Sequence, residues 1–111
     1  MSTVRSSPDG FSLSVAADGV QVVVAPSGDL DLVSSEVLER EVRQHQFRGA
    51  ERIVVDLRGV GFLDSTGLRV LLSLRNDAKR NHHSFSLIAG RPAVQRVFAL
   101  TATRGLFDWR P

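Results

Sequence analysis

Asp64-Ser65-Thr66-Gly67 sets a carboxylate, two hydroxyls and a glycine side by side, directly before a long apolar-patterned segment. Asp, Ser and Thr are the residue types that cap helix N-termini, because a short side-chain oxygen accepts from the first free backbone N–H groups. One cap is sufficient, yet three candidates stand together. Gly67 falls in the first turn, where glycine costs about 1 kcal/mol of helix propensity relative to alanine. Having no side chain, it would let a partner or a phosphate approach the backbone. Free N–H groups and the helix dipole at this end also favour an anion. Two roles stand open for Ser65: capping the helix, or accepting a phosphate that its own helix end would tolerate.

A second acidic stretch, Gly28-Asp29-Leu30-Asp31, brackets an apolar residue with two carboxylates. Other chemistries find little footing. The chain has no cysteine, which removes disulfides and thiolate chemistry. His82 and His83 are adjacent at a helix end, His45 is remote, and no Asp or Glu stands at ligand spacing beside them, so no metal is expected. Leu63 occupies the place where a Gly-x-Ser-x-Gly elbow needs its first glycine. No P-loop Gly-Lys-Ser/Thr is present, so an enzyme acting alone is not expected. The net charge is only +2, the arginines are scattered, and Lys79 is the sole lysine. A basic stripe interleaved with aromatics, as nucleic-acid binding requires, is missing. No apolar run is long enough to span a bilayer, so membrane insertion is not expected. The first residues, Met1 to Pro8, lack the apolar stretch of a signal peptide, and a cytoplasmic protein is expected.

The elements that must position these groups follow from periodicity. Residues 1–10 are polar, end in the turn signal Pro8-Asp9-Gly10, and read as a flexible lead-in to a single domain over 11–111. Phe11–Val15 alternates and Val20–Ala25 is β-branched, so two strands should pair antiparallel across Asp18-Gly19. Pro26-Ser27-Gly28-Asp29-Leu30-Asp31 should break the second strand. Val33, Val37, Leu38 and Val42 recur at helical spacing, with Asp31 or Ser34 as cap and Gly49 as stop. Ile53–Leu57 is a short apolar run between helices, hence a parallel strand buried on both faces. A Gly59/Gly61 loop follows, with Val60 and Leu63 as core plugs. A helix from about Thr66 to Asn81 comes next, carrying Leu68, Val70, Leu71, Leu72, Leu74 and Ala78. Ser84–Ala89 is a further strand, Pro92 opens a short helix, and Leu106, Phe107 and Trp109 anchor the end. The order predicts a small α/β domain with a mixed sheet of four to five strands and helices mainly on one face.

Val54-Val55-Asp56-Leu57, Val60 and Phe62-Leu63-Asp64-Ser65-Thr66-Gly67-Leu68 with Leu71-Leu72 resemble the central motif of the STAS domain, above all that of the bacterial anti-sigma-factor antagonists. Gly28-Asp29-Leu30-Asp31 resembles that family's Gly-Glu-Leu-Asp segment, with Asp29 shortening the usual Glu. The likeness runs from about Phe11 to Trp109. It implies a partner switch. The unphosphorylated antagonist binds an anti-sigma factor that is also a serine kinase of the histidine-kinase ATPase type, and the sigma factor is released. The kinase then phosphorylates Ser65, and a serine phosphatase reverses the step. Asp31 and Asp64, with Asp29, Thr66 and Gly67 beside them, fall where the family meets its partner, and Thr66 is a possible second acceptor. No cofactor is implied for this chain, since ATP and Mg²⁺ belong to the kinase. Two rivals share the domain: an accessory subunit of a lipid-transport ABC system, and a scaffold subunit of a sensory complex.

Overall fold

The computed structural model describes residues 10–111 and the backbone of residues 2–6. Three helices cover one face of a mixed sheet. The strands are β1 (Ser2–Ser6), β2 (Ser12–Asp18), β3 (Gln21–Leu30), β4 (Arg52–Asp56), β5 (Val60–Leu63), β6 (Ser84–Ile88) and β7 (Asp108–Arg110). The helices are α1 (Leu32–Phe47), α2 (Ser65–Arg80) and α3 (Pro92–Leu100), with a 3-10 turn at Arg104–Leu106. The sheet runs β1-β2-β3-β4-β6-β7, and β5 joins β3 off that path. β1, β2 and β3 are antiparallel neighbours, whereas β3, β4, β6 and β7 run parallel. No helix among the described residues is long and apolar enough to cross a membrane.

The core lies between one sheet face and the helices. Leu13, Val15, Val22, Val24, Ile53, Val55, Phe85 and Leu87 point to it from the strands. Leu38 and Val42 of α1, Leu71 and Leu74 of α2, and Val94 and Phe98 of α3 meet them. Val54, between Ile53 and Val55, faces the other side and is buried as well, as the uniformly apolar run requires. Phe98 holds the chain end by edge-to-face contacts with Phe107 and Trp109, at centroid distances of 5.5 and 5.0 Å.

The structure corrects the sequence reading in several places. Ser2–Ser6, read as part of the lead-in, pairs with β2 from Ser2 opposite Ala16 to Ser6 opposite Ser12. Backbone hydrogen bonds at a sheet edge need no apolar alternation, so Ser-Thr-Val-Arg-Ser carries no burial signal. Pro8 and Asp9 of the expected turn lie outside the described residues. The expected break at Pro26-Ser27-Gly28-Asp29-Leu30-Asp31 does not occur, and β3 runs on to Leu30. β4 accompanies β3 only as far as Val24, and β5 takes over from Gly28. Pro26, which has no N–H to give, sits in the gap between the two partners. Gly28 then turns at φ +112°, where the register shifts and the strand bends toward β5. With β1, the strand β5, read as loop, and the three-residue β7 bring the sheet beyond the expected four to five strands, to seven among the described residues.

Candidate functional site

β3 and β5 are parallel, and both end by launching a helix. Leu30 pairs with Leu63, and the Asp64 N–H donates to the Leu30 carbonyl at 3.2 Å. The next residues, Asp31 and Asp64, are therefore neighbours across one inter-strand spacing of about 5 Å, and each is the N-cap of its helix. This is the carboxyl end of adjacent parallel strands, the usual place for function in α/β sheets.

Asp31 closes a capping box. Its Oδ1 accepts from the Val33 and Ser34 amides, each at 3.1 Å, and its own N–H donates to Ser34 Oγ at 2.9 Å. Bonds from the Ser34 amide, and next from the Ser34 hydroxyl, hold the Asp31 carboxyl below the usual carboxylate range. Asp64 caps α2 by accepting from the Gly67 amide at 2.9 Å. The cap role left open for Ser65 thus belongs to its neighbour. Ser65 is the first helical residue, is exposed, and makes no side-chain hydrogen bond among the described residues. The amides of Ser65 and Thr66 have no partner there either. Thr66 is half-buried.

Gly67 differs from its expected part. It is buried, and a Cβ there would stand 2.6 Å from Leu63 Cδ1 and 2.9 Å from the Leu30 carbonyl oxygen. Its missing side chain would point inward, so the glycine serves the seating of α2 on β3 and β5 and opens no path to a partner. Asp29 is exposed on β3 opposite Phe62. A Cβ at Gly61 would lie 3.2 Å from Asp29 Oδ1 and 3.8 Å from Arg91 Nη1. A carboxylate and a guanidinium therefore lean over Gly61 without forming an ion pair. A hollow of about 260 Å³ lined by Gly10, Phe11, Gly28, Asp29 and Asp31 lies alongside.

Large apolar side chains surround these charges in the open. Leu32 and Val33 are each 63% exposed and Phe62 is 55% exposed. The periodicity of α1 put Val33 in the core, but the buried face runs Ser34, Ser35, Leu38, Glu41, Val42. Two serines and a glutamate on the inner face hid that stripe, and Val33 falls beside it. Arg91 is expected only as part of a turn and Phe62 only as part of the motif that carries the resemblance, and neither is expected at the site. Only the β3–β5 pairing and the start of α3 bring them to Asp29. Among the described residues no three His, Cys, Asp or Glu side chains converge on a metal position.

An exposed hydroxyl, three carboxylates and three open apolar side chains make a surface suited to binding a protein, and among the described residues the Ser65 hydroxyl has no hydrogen-bonded base. The comparisons with known proteins agree with such a surface. A STAS-domain containing protein of Pseudomonas aeruginosa is 30% identical over 92 residues, covering 83% of this chain and 90% of that one. The anti-sigma-F factor antagonist RsfB of Mycobacterium tuberculosis is 32% identical over 66 residues, covering 60% of this chain and 54% of its own length. The crystal structure of an anti-sigma factor antagonist from Mycobacterium paratuberculosis superposes with a TM-score of 0.82 at 29% identity, over 96% of this chain and 91% of that one. The family model described as Mlab, STAS domain, matches residues 13–107. With the model spanning nearly the whole described domain, the chain belongs to the STAS domain family.

Proposed function

We propose that this protein is an anti-sigma-factor antagonist switched by phosphorylation of Ser65. The observation that carries the reading is the exposed, unbonded Ser65 hydroxyl beside the two capping aspartates, on a pole rimmed by Leu32, Val33 and Phe62. Similarity to antagonists from two mycobacteria supports the general role. In the unphosphorylated form the apolar rim and Asp29, Asp31 and Asp64 bind an anti-sigma factor that is also a serine kinase, which frees the sigma factor. The partner brings ATP and Mg²⁺, and this chain brings the acceptor. A serine phosphatase resets the switch.

The electrostatics give the switch its direction. A phosphate adds about −1.5 to −2 charge at neutral pH. At Ser65 it joins two carboxylates at the docking surface. Like charges forced together in an interface cost several kcal/mol, and each ~1.4 kcal/mol is tenfold in affinity. The free Ser65 and Thr66 amides and the α2 dipole stabilise that phosphate in the unbound protein. The partner is ejected while the fold is kept.

Incubation with the cognate kinase, ATP and Mg²⁺ should add one phosphate, placed on Ser65 by mass spectrometry and lost in Ser65→Ala. Ser65→Asp should weaken the partner by tenfold or more with little change in melting temperature, because an acid at the first helical position suits the dipole. Normal phosphorylation of Ser65→Ala would remove the central claim. If Ser65→Ala instead co-purifies with a membrane-transport ATPase, the lipid-transport subunit is the correct reading.

A further inference from the structure

We propose that the far end of α1 is a second docking site, whose occupant is an anionic phospholipid surface. Phe47, the last residue of α1, is 94% exposed. The rings of Phe11, Phe85, Phe98 and Phe107 are buried and Phe62 is half out of water at the acidic pole, so Phe47 is the most exposed of the six phenylalanines. Arg40, Arg43, Gln44 and Arg48 surround it in a shallow hollow of about 460 Å³. Arg43 is committed to Glu39 and Asp77. The Arg40 and Arg48 side chains make no ion pair or hydrogen bond among the described residues.

Charge complementarity fixes the chemistry of the occupant. Guanidinium forks match phosphate oxygens, and an apolar ring among them suits burial at the boundary of headgroups and acyl chains. The hollow is made by α1 and the residue that follows it, and no second element supplies a wall. A peptide helix needs a groove between elements, whereas a plane of phosphates needs none. Two-fold pairing with a second copy would set these arginines against their equals, which like-charge repulsion opposes. The docking is peripheral, through one ring and two free cations. It does not depend on the switch at Ser65. The 16 residues of α1 place it roughly 24 Å from Asp31, so lipid and a protein partner can be held together.

The test is co-sedimentation of the whole chain with vesicles of phosphatidylglycerol and phosphatidylcholine in equal parts, at low salt. The wild type should partition to these vesicles and not to phosphatidylcholine alone. Phe47→Ser, which leaves the net charge unchanged, should lower the partition coefficient about tenfold. Arg40→Gln with Arg48→Gln should remove most of the rest, and added salt should mimic that loss. All three positions are on the surface, so circular dichroism should show the variants folded. The proposal is overturned if the wild type stays in the supernatant. Equal partitioning of Phe47→Ser would also overturn it, showing diffuse attraction of a basic protein. Binding of a glutamate-rich peptide in a Phe47-dependent way, with no vesicle binding, would assign the site to an acidic protein instead.

Discussion

At the start of α2, capping falls to Asp64, which leaves the adjacent Ser65 hydroxyl without a structural duty. From sequence, Asp64, Ser65 and Thr66 were equivalent as caps, since residue type alone does not say which one keeps extended backbone angles. Asp64 does, at φ −97° and ψ −176°. Asp31 is the parallel case on α1, where Asp31 and Ser34 were both candidates and they turn out to share one capping box. Its titration gives a prediction with a definite sign. The folded Asp31 carboxyl ionises below its ordinary value of 3.8, so the unfolded chain takes up the proton first as pH falls. The stabilisation is therefore complete well above that value and is lost as pH drops through the lower, folded one. Asp31→Ala should be less stable than the wild type near pH 7, and the gap should close progressively below about pH 4. Urea midpoints measured across that range decide it. A gap that persists at the lowest pH would mean that the aspartate acts through something other than its charge.

The elements were legible where burial leaves a pattern in the side chains. The alternation of β2 matches a pleat, the apolar face of α2 matches a helix turn, and the uniformly apolar β4 run marks a strand buried on both faces. β1, β5 and β7 could not. They are short edge or satellite strands held by backbone bonds, which side-chain type does not announce. Gly67 shows the same limit from the other side. Its cost to helix propensity was visible, but its reason is a contact made by distant residues. Gly67→Ala tests that reason. Propensity alone would raise stability by about 1 kcal/mol. A Cβ at 2.9 Å from the Leu30 backbone oxygen and 2.6 Å from Leu63 cannot be accommodated without moving α2. Overpacking of this kind costs about 1–3 kcal/mol, so the net change should be destabilising. A rise in the denaturation midpoint of Gly67→Ala would show that α2 is seated more loosely than the contact requires.

On the scale of the whole molecule, the parallel β3 and β5 strands send α1 and α2 off from one pole. Carboxylates gather at that pole, and α1 ends at the other with Phe47 and its arginines. The scattered arginines of the sequence concealed this arrangement, because residues far apart in the chain and a single helix both contribute to it only once folded. The two ends are separated by roughly the 24 Å length of α1, more than twice the screening length of about 8–10 Å at moderate salt. Among the described residues no side-chain hydrogen bond or ion pair joins the two ends. Ser65→Asp and Phe47→Ser should then be independent. Their effects on unfolding free energy should add within about 0.5 kcal/mol, as distant sites do. The vesicle partitioning of Ser65→Asp should match the wild type in about 0.15 M salt, since its added charge is screened at that distance. Denaturant unfolding of both single variants and the double variant measures the first, and co-sedimentation the second. A coupling well above that limit, or a lipid affinity that changes with charge at Ser65, would mean that the core between the poles transmits the switch, with α1 as the element joining the acidic pole to the basic one.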